Sequence, residues 1–232
     1  FFSSITAYNF VKYFGLAKFH HRSLANWLRV IQVFSAFAFC LMCYYLLQLP
    51  THTYTLLIFL ALATFLYAIP IIPRRYLFDE QQNLREISGV KIYIIALVWT
   101  GVTVLLPIIN ADLDFTADIS ITFFQRYCYV LVLMLPFEIR DLNYDNLKLA
   151  TIPQRIGVKK TKIIGILLLM IFLMLEFFKD KLDGYSIIST LSIAFITLLF
   201  LVFSYKKQSK YYSAFWVEAL PIIWLIILLL LT

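Results

Sequence analysis

Long apolar runs recur along the whole chain, and they restrict its fold more than any other feature. Each run is about 20 residues long, which at about 1.5 Å per residue is enough to cross the roughly 30 Å hydrocarbon core of a bilayer. Short charged segments separate the runs. The pattern therefore predicts an all-α, polytopic transmembrane helical bundle. Seven complete spans are predicted, near residues 26–48, 54–73, 90–110, 118–137, 161–178, 185–205 and 213–232.

Composition agrees with one membrane domain rather than with a soluble protein. Of the 232 residues, 62% are hydrophobic and only 14% are charged, and a soluble domain could not bury so large an apolar surface. Residues 1–13 are also apolar and run into the basic segment 18–22, so we interpret them as the second half of a further span. We therefore expect about eight spans in a single transmembrane domain, residues 1–232, that is truncated at its amino terminus.

Basic residues are concentrated in alternate connections, which predicts the orientation in the membrane. Seventeen of the 20 Lys and Arg residues lie in or directly beside alternate connections, within residues 12–29, 74–91, 140–162 and 206–210. Connections rich in Lys and Arg face the cytoplasm. The loop of residues 110–118 has three Asp and no basic residue, as expected on the other side. The net charge of +7 therefore reflects topology and contact with anionic headgroups or phosphates, and no segment resembles a nucleic-acid-binding module.

The cysteines and histidines suggest neither a disulfide framework nor a metal site. All the cysteines fall inside apolar runs, where a small core residue is the simpler interpretation. The histidines lie in two loops on opposite sides of the membrane, which argues against a shared metal ion. These residues are Cys40, Cys43, Cys128, His20, His21 and His52.

The connection after residue 137 contains the polar residues best suited to chemistry. Asp141 and Asp145 are four positions apart, so they project from one face if the preceding span continues as a helix. With Arg140, Lys148 and Arg155 nearby in sequence, the two carboxylates have the composition of a Mg²⁺ site bridged to a diphosphate. The alternative interpretation is a solvated helix end whose acidic and basic side chains pair weakly.

Spaced residues through this connection form a longer pattern. An Arg-Asp pair is followed by a second Asp four residues later, and then by a Thr and a Gly before the next apolar run. The pattern resembles the second aspartate-rich motif of the UbiA-type intramembrane prenyltransferases, especially of their menaquinone-pathway branch. The matching residues are Glu138, Arg140, Asp141, Asp145, Thr151, Pro153, Arg155 and Gly157.

The resemblance implies a UbiA-like fold and a set of roles. Members of that family have nine spans, with aspartate motifs after spans two and six, so this chain would hold spans two to nine in the bacterial inner membrane. Asp141 and Asp145 would be the catalytic residues and would bind Mg²⁺. Polar residues at the cytoplasmic face would bind the isoprenoid diphosphate. These residues are Asn9, Lys12, Lys91, Arg140, Lys148 and Arg155.

The chain departs from the family at the first aspartate motif. Asn9 matches that motif, whereas Phe10 and Tyr13 stand where aspartates are expected, so we expect fewer Mg²⁺ ions than is usual for the family. Lys12 lies three positions from Asn9, on nearly the same helical face. Its ammonium would either meet a phosphate as a fixed positive charge or snorkel to the cytoplasmic headgroups.

Two functions follow from these residues. The first is a UbiA-like prenyltransferase that binds an isoprenoid diphosphate at the cytoplasmic face and transfers the prenyl group to an acceptor. The second is a catalytically degenerate relative that acts as a lipid-binding or scaffold subunit of a membrane complex, which the altered first motif favours. Away from both motifs, Arg126 lies within a predicted span, where it must either face the bundle or snorkel outward.

Overall fold

The computed structural model describes residues 26–68, 90–142, 151–180, 182–209 and 211–231, together with residues 2, 3, 5, 6 and 9. All regular secondary structure within this part of the chain is helical, which confirms the all-α prediction. Each of the seven complete spans predicted above corresponds to one long helix. The helices are α1 (Asn26–Leu46), α2 (Thr51–Ala68), α3 (Lys91–Asn110), α4 (Ala117–Asp141), α5 (Ile152–Glu176), α6 (Gly184–Val202) and α7 (Tyr212–Leu231).

Four of the described helices, α3, α4, α6 and α7, are long and apolar enough to cross a membrane. The apolar stretches described in α1 and α2 are shorter, at Val30–Leu46 and Thr51–Phe65. Helix α5 combines an apolar centre with three lysines near its start and Glu176 at its end. These helices give the chain the character of a membrane protein, and the arrangement in eight spans stays a prediction.

Helix α4 lies at the centre of the described bundle. It packs most extensively on α5 and also contacts α3, α6 and the first turns of α7. Between α4, α5 and α7, the rings of Tyr129, Phe172 and Trp224 form a cluster with centroid separations of 5.1, 5.1 and 5.6 Å. Such offset and edge-on contacts stabilise a core beyond the effect of burial alone. The cluster holds α4, α5 and α7 together near the middle of α4.

Gly165 explains the close approach of α5 to its neighbours. A Cβ atom built on this residue would lie 2.5 Å from Leu201 Cδ2 and 2.8 Å from Leu135 Cδ1. Neither distance is compatible with a real methyl group, so α4 and α6 pack directly against the α5 backbone. Small residues allow this kind of contact between membrane helices, where packing replaces the hydrophobic effect as the driving force.

Two of the helices contain a π-helical turn. These turns are Gly101–Leu105 in α3 and Tyr212–Val217 in α7. In each helix a proline follows, Pro107 or Pro221, and it lacks the N–H that would bond to the carbonyl four residues earlier. That carbonyl belongs to the π turn in both cases, so the wider turn lies where the regular α-helical pattern cannot continue.

The second half of α3 is tied to the start of α2. His52 Nε2 donates a hydrogen bond to the carbonyl oxygen of Ile109 at 2.8 Å. At the first residue of the π turn, a Cβ on Gly101 would lie 2.8 Å from Leu60 Cδ2, so α2 and α3 also meet closely there. The position of α3 after its π turn is therefore fixed by contacts with α2.

Candidate functional site

Helix α4 ends in a pair of opposite charges. Arg140 Nε donates to Asp141 Oδ1 at 2.7 Å, and the two side chains are 22% and 23% exposed. The Arg140 guanidinium also lies 5.4 Å from the ring centroid of Phe137, one turn earlier. Glu218, at the start of the regular part of α7, is close enough to interact electrostatically with Arg140. The pair therefore lies at one end of the bundle and is partly buried there.

The start of α5 has a distinct local structure that follows from its sequence. The backbone N–H of Thr151 donates to Gln154 Oε1 at 2.9 Å, and Pro153 stands in the first turn, where a missing N–H costs nothing. Gly157 then adopts φ 80° and ψ 160°, a conformation open essentially to glycine alone. The helix resumes beyond it, where Thr161 Oγ1 donates to the Gly157 carbonyl at 2.9 Å. Arg155 is thus carried by a short helical turn before the kink.

Five of the predicted site residues fall within the described part of the chain. Arg140 and Asp141 are in direct contact, as described above. Asn9 is helical and half-buried, Lys91 is the half-buried first residue of α3, and Arg155 is exposed. The predictions for Lys12, Asp145 and Lys148 lie outside the described residues.

The magnesium hypothesis depends on a residue that the structure does not describe. Among the residues it does describe, no group of three or more His, Cys, Asp or Glu side chains is arranged to hold a metal ion. Asp141 supplies one carboxylate, and Asp145 would have to supply the next. The hydrogen bond from Arg140 uses one lone pair of Oδ1, so the Asp141 carboxylate keeps lone pairs with which it could bind a cation.

The surrounding helix ends are fastened by polar side chains. Gln208, from the connection between α6 and α7, donates to the Pro136 carbonyl at 2.8 Å and to Ser213 Oγ at 2.6 Å. Lys162 Nζ donates to the carbonyl of Val202, the last residue of α6, at 2.6 Å. Side chains therefore satisfy two backbone carbonyls near this end, those of Pro136 and Val202.

A second polar region lies at the opposite end of α4, around the buried carboxylate of Glu176. Glu176 Oε2 accepts from Gln125 Nε2 at 2.7 Å and from Lys179 Nζ at 2.6 Å. Its Oε1 accepts from Ser186 Oγ at 2.6 Å. The loop after α5 is anchored there as well, because the Asp180 N–H donates to Asp118 Oδ1 at 2.9 Å. This network joins α4, α5 and α6.

Arg126 lies beside this network and faces the bundle, which decides between the two alternatives that its sequence position left open. Its guanidinium carbon is 4.3 Å from the ring centroid of Trp224 on α7. A cavity of about 260 Å³ opens next to it and is lined by residues of α4, α6 and α7 together with Glu176 and Lys179. A cation stacked on an indole ring is stabilised by the ring quadrupole.

Gln125 and Glu176 were not predicted as functional residues from the sequence. The sequence does contain a signal for them. Each is a polar residue within an apolar run, and the two runs form neighbouring helices. Buried polar groups in a membrane need partners, so two such residues on packed helices are expected to meet.

The two polar regions lie at opposite ends of α4, with the cluster of Tyr129, Phe172 and Trp224 between them. The Asp141 end carries those residues of the aspartate-rich pattern that the structure describes. The Gln125 end carries a carboxylate whose oxygens are both hydrogen-bonded. No family model, curated protein or solved structure matches the chain, so a functional assignment rests on these residues themselves.

Proposed function

We propose that this chain is a UbiA-like membrane prenyltransferase that binds an isoprenoid diphosphate at the Asp141 end and transfers its prenyl group to an acceptor. The observation that carries the proposal is the Arg140–Asp141 pair at the break between α4 and α5. It supplies a carboxylate for a cation and a guanidinium for a phosphate at a partly exposed helix end. The residues that follow, Thr151 to Gly157, match the UbiA-like pattern.

In the proposed reaction the bond between the allylic carbon and the diphosphate oxygen breaks, and the diphosphate leaves with the electron pair. The allylic cation is then attacked by a nucleophilic carbon or heteroatom of the acceptor, which loses a proton as the new bond forms. Mg²⁺ would neutralise the charge that develops on the diphosphate. Asp141 and Asp145 would hold that ion, and Arg140 would bind a phosphate oxygen.

The exposure of the Arg140–Asp141 pair is compatible with this exchange of partners. Both side chains are about one-fifth exposed, so their ion pair lies in a partly hydrated setting. Pairs of this kind contribute about 0–1 kcal/mol, because water competes for both charges. Replacing the Arg140–Asp141 bond by a metal contact on one side and a phosphate contact on the other therefore has a small cost.

The test is Mg²⁺-dependent binding and diphosphate release by the purified protein with geranyl, farnesyl and geranylgeranyl diphosphates. Asp141→Asn and Asp145→Asn should each abolish Mg²⁺-dependent binding, because each removes one anionic ligand and keeps the side-chain volume. Asp114→Asn is the matched control, since Asp114 is an exposed aspartate in the loop before α4. Unchanged Mg²⁺-dependent binding in both site variants would refute the metal-ligand roles.

A second candidate function is a catalytically degenerate lipid-binding or scaffold subunit. Phe10 and Tyr13 occupy aspartate positions of the first motif, which favours this alternative. Prenyl diphosphate binding without diphosphate release over a range of acceptors would support it. The variant Lys12→Met tests the role of the altered first motif. A loss of Mg²⁺-independent diphosphate binding would show that this lysine replaces a metal. Unchanged binding would favour snorkelling of Lys12 to the headgroups.

A further inference from the structure

The cavity at the Gln125 end is separate from the site proposed above and has its own chemistry. It opens between α4, α6 and α7, at the end of α4 opposite to Asp141, and its volume is about 260 Å³. We propose that it is a second binding site, which takes the oxyanionic headgroup of an amphiphile, a phosphate or a carboxylate, whose apolar tail leaves along α7.

The charge balance of the cavity favours an anion. Three ionisable side chains line it, namely Arg126, Glu176 and Lys179. Glu176 and Lys179 form a salt bridge at 2.6 Å, and the remaining hydrogen bonds of Glu176 go to Gln125 and Ser186. Within the described part of the chain Arg126 forms no salt bridge, so the cavity carries one uncompensated positive charge.

Two residues that line the cavity each carry a hydrogen-bond donor without a partner in the described part of the chain. Arg126 Nε and Ser189 Oγ are both buried and are not hydrogen-bonded to any described residue, and Ser189 is 0% exposed. A buried donor left without a partner costs about 1–3 kcal/mol, and more for a charged group. A guanidinium from α4 and a hydroxyl from α6 are donors of the kind that an oxyanion needs. Stacking on Trp224 stabilises the arginine charge without using its N–H groups.

The apolar wall of the cavity indicates that the oxyanion belongs to an amphiphile. Pro221, Leu225 and Leu228 line the side formed by α7, and Leu225 is 55% exposed on the outer surface of the bundle. Pockets for drug-sized ligands occupy about 300–1,000 Å³, so a cavity of about 260 Å³ suits a headgroup better than a complete lipid. The tail would then lie in the groove beside Leu225, in contact with the bilayer.

The test uses the full chain in nanodiscs of neutral phosphatidylcholine, to which one probe is added at a time. The probes are dioleoyl phosphatidylglycerol, oleate and inorganic phosphate, and the readouts are the thermal unfolding midpoint and the number of bound lipids by native mass spectrometry. We expect at least one of the two amphiphiles to bind and to raise the midpoint, and the comparison between them distinguishes phosphate from carboxylate. If inorganic phosphate alone raised the midpoint as much as the amphiphiles do, the amphiphile proposal would be overturned. The cavity would then be a site for a soluble anion.

Arg126→Gln is the decisive variant. It should weaken binding of the amphiphile by at least about tenfold, because a charge-assisted hydrogen bond and the net attraction are lost together. In neutral nanodiscs without a probe, its unfolding midpoint should equal or exceed that of the wild type, since an unpaired buried charge is removed. A large fall of that midpoint would show that Arg126 is structural and would overturn the proposal.

Two further variants keep the proposal testable if Arg126→Gln folds poorly. Ser189→Ala preserves the charge and removes one unpartnered donor, so it should weaken binding by a smaller factor without lowering stability. Lys207→Gln removes a positive charge from the exposed connection between α6 and α7, at the other end of the bundle, and should leave binding unchanged. Equal binding losses in Lys207→Gln and Ser189→Ala would indicate nonspecific electrostatic attraction and reject the site.

Discussion

The two ends of α4 use charge in different ways. At the Gln125 end, Glu176 is 4% exposed. Its carboxylate accepts three hydrogen bonds, from Gln125, Lys179 and Ser186. At the Asp141 end, Asp141 is partly exposed and is bonded to its own neighbour in sequence. The first arrangement joins three successive helices to one another, whereas the second lies within α4.

This difference predicts which end contributes to stability and which end can bind a ligand. A buried, fully bonded carboxylate contributes to the stability of the fold, because its partners would otherwise be left without acceptors. A partly exposed pair can exchange its partners for a ligand at small cost. Stability is therefore expected to depend on Glu176, and ligand exchange is expected at Asp141.

The largest effect should come from the same substitution at the two acids. Glu176→Ala should lower the free energy of unfolding by about 3 kcal/mol, since it removes one partner of a buried ion pair and the acceptor of Gln125 and Ser186. Asp141→Ala should lower it by less than about 1 kcal/mol. Denaturant titrations in one detergent measure both values, and equal losses would remove the distinction between the two ends.

A smaller effect is expected from the backbone at the start of α5. Gly157→Ala should cost about 1–3 kcal/mol, because alanine is strained at φ 80° and ψ 160°. Gly184→Ala is the control, since Gly184 begins α6 and a Cβ there meets nothing within 4 Å. The control should change the unfolding free energy by less than about 0.5 kcal/mol. If both variants lose the same free energy of unfolding, the conformation at position 157 does not depend on glycine.

The smallest effect concerns the lysine that caps α6. Lys162→Met should lower the unfolding free energy by about 0.3–1 kcal/mol, because Lys162 Nζ bonds to the terminal carbonyl of Val202 and opposes the negative end of the helix dipole. Lys160→Met is the control, because Lys160 is exposed, and it should lower the unfolding free energy by less. A loss as large as that of Glu176→Ala would mean that the Asp141 end also depends on single polar contacts.

Hydropathy predicted the helices because most of them are apolar throughout. The predicted span 185–205 corresponds to Gly184–Val202, and 90–110 corresponds to Lys91–Asn110. Helix α5 begins at Ile152, well before the predicted residue 161, because its first turns are polar and a hydropathy average does not detect them. Thr151 and Pro153 are the local signals for that start.

The polar contacts were predictable only where they are local. Arg140 and Asp141 are adjacent in sequence, so their contact depends on their own side-chain rotamers and not on how one helix packs on another. Gln125 and Glu176 are 51 positions apart, and their hydrogen bond depends on the rotation and register of α4 against α5. That register follows from three-dimensional packing at Gly165 and around Phe172, which apolar runs alone do not encode.

The π turn in α3 affects how this helix can be compared with any other. A π turn accommodates one more residue than an α-helical turn, so the part of α3 after Leu105 is offset by one position, or about 100° of rotation, from an uninterrupted α-helix. An alignment that pairs α3 with a regular helix therefore needs a gap of one residue inside Gly101–Leu105. Without that gap, Ile109 would be paired with a residue on a different face, and the carbonyl that accepts from His52 would have no counterpart.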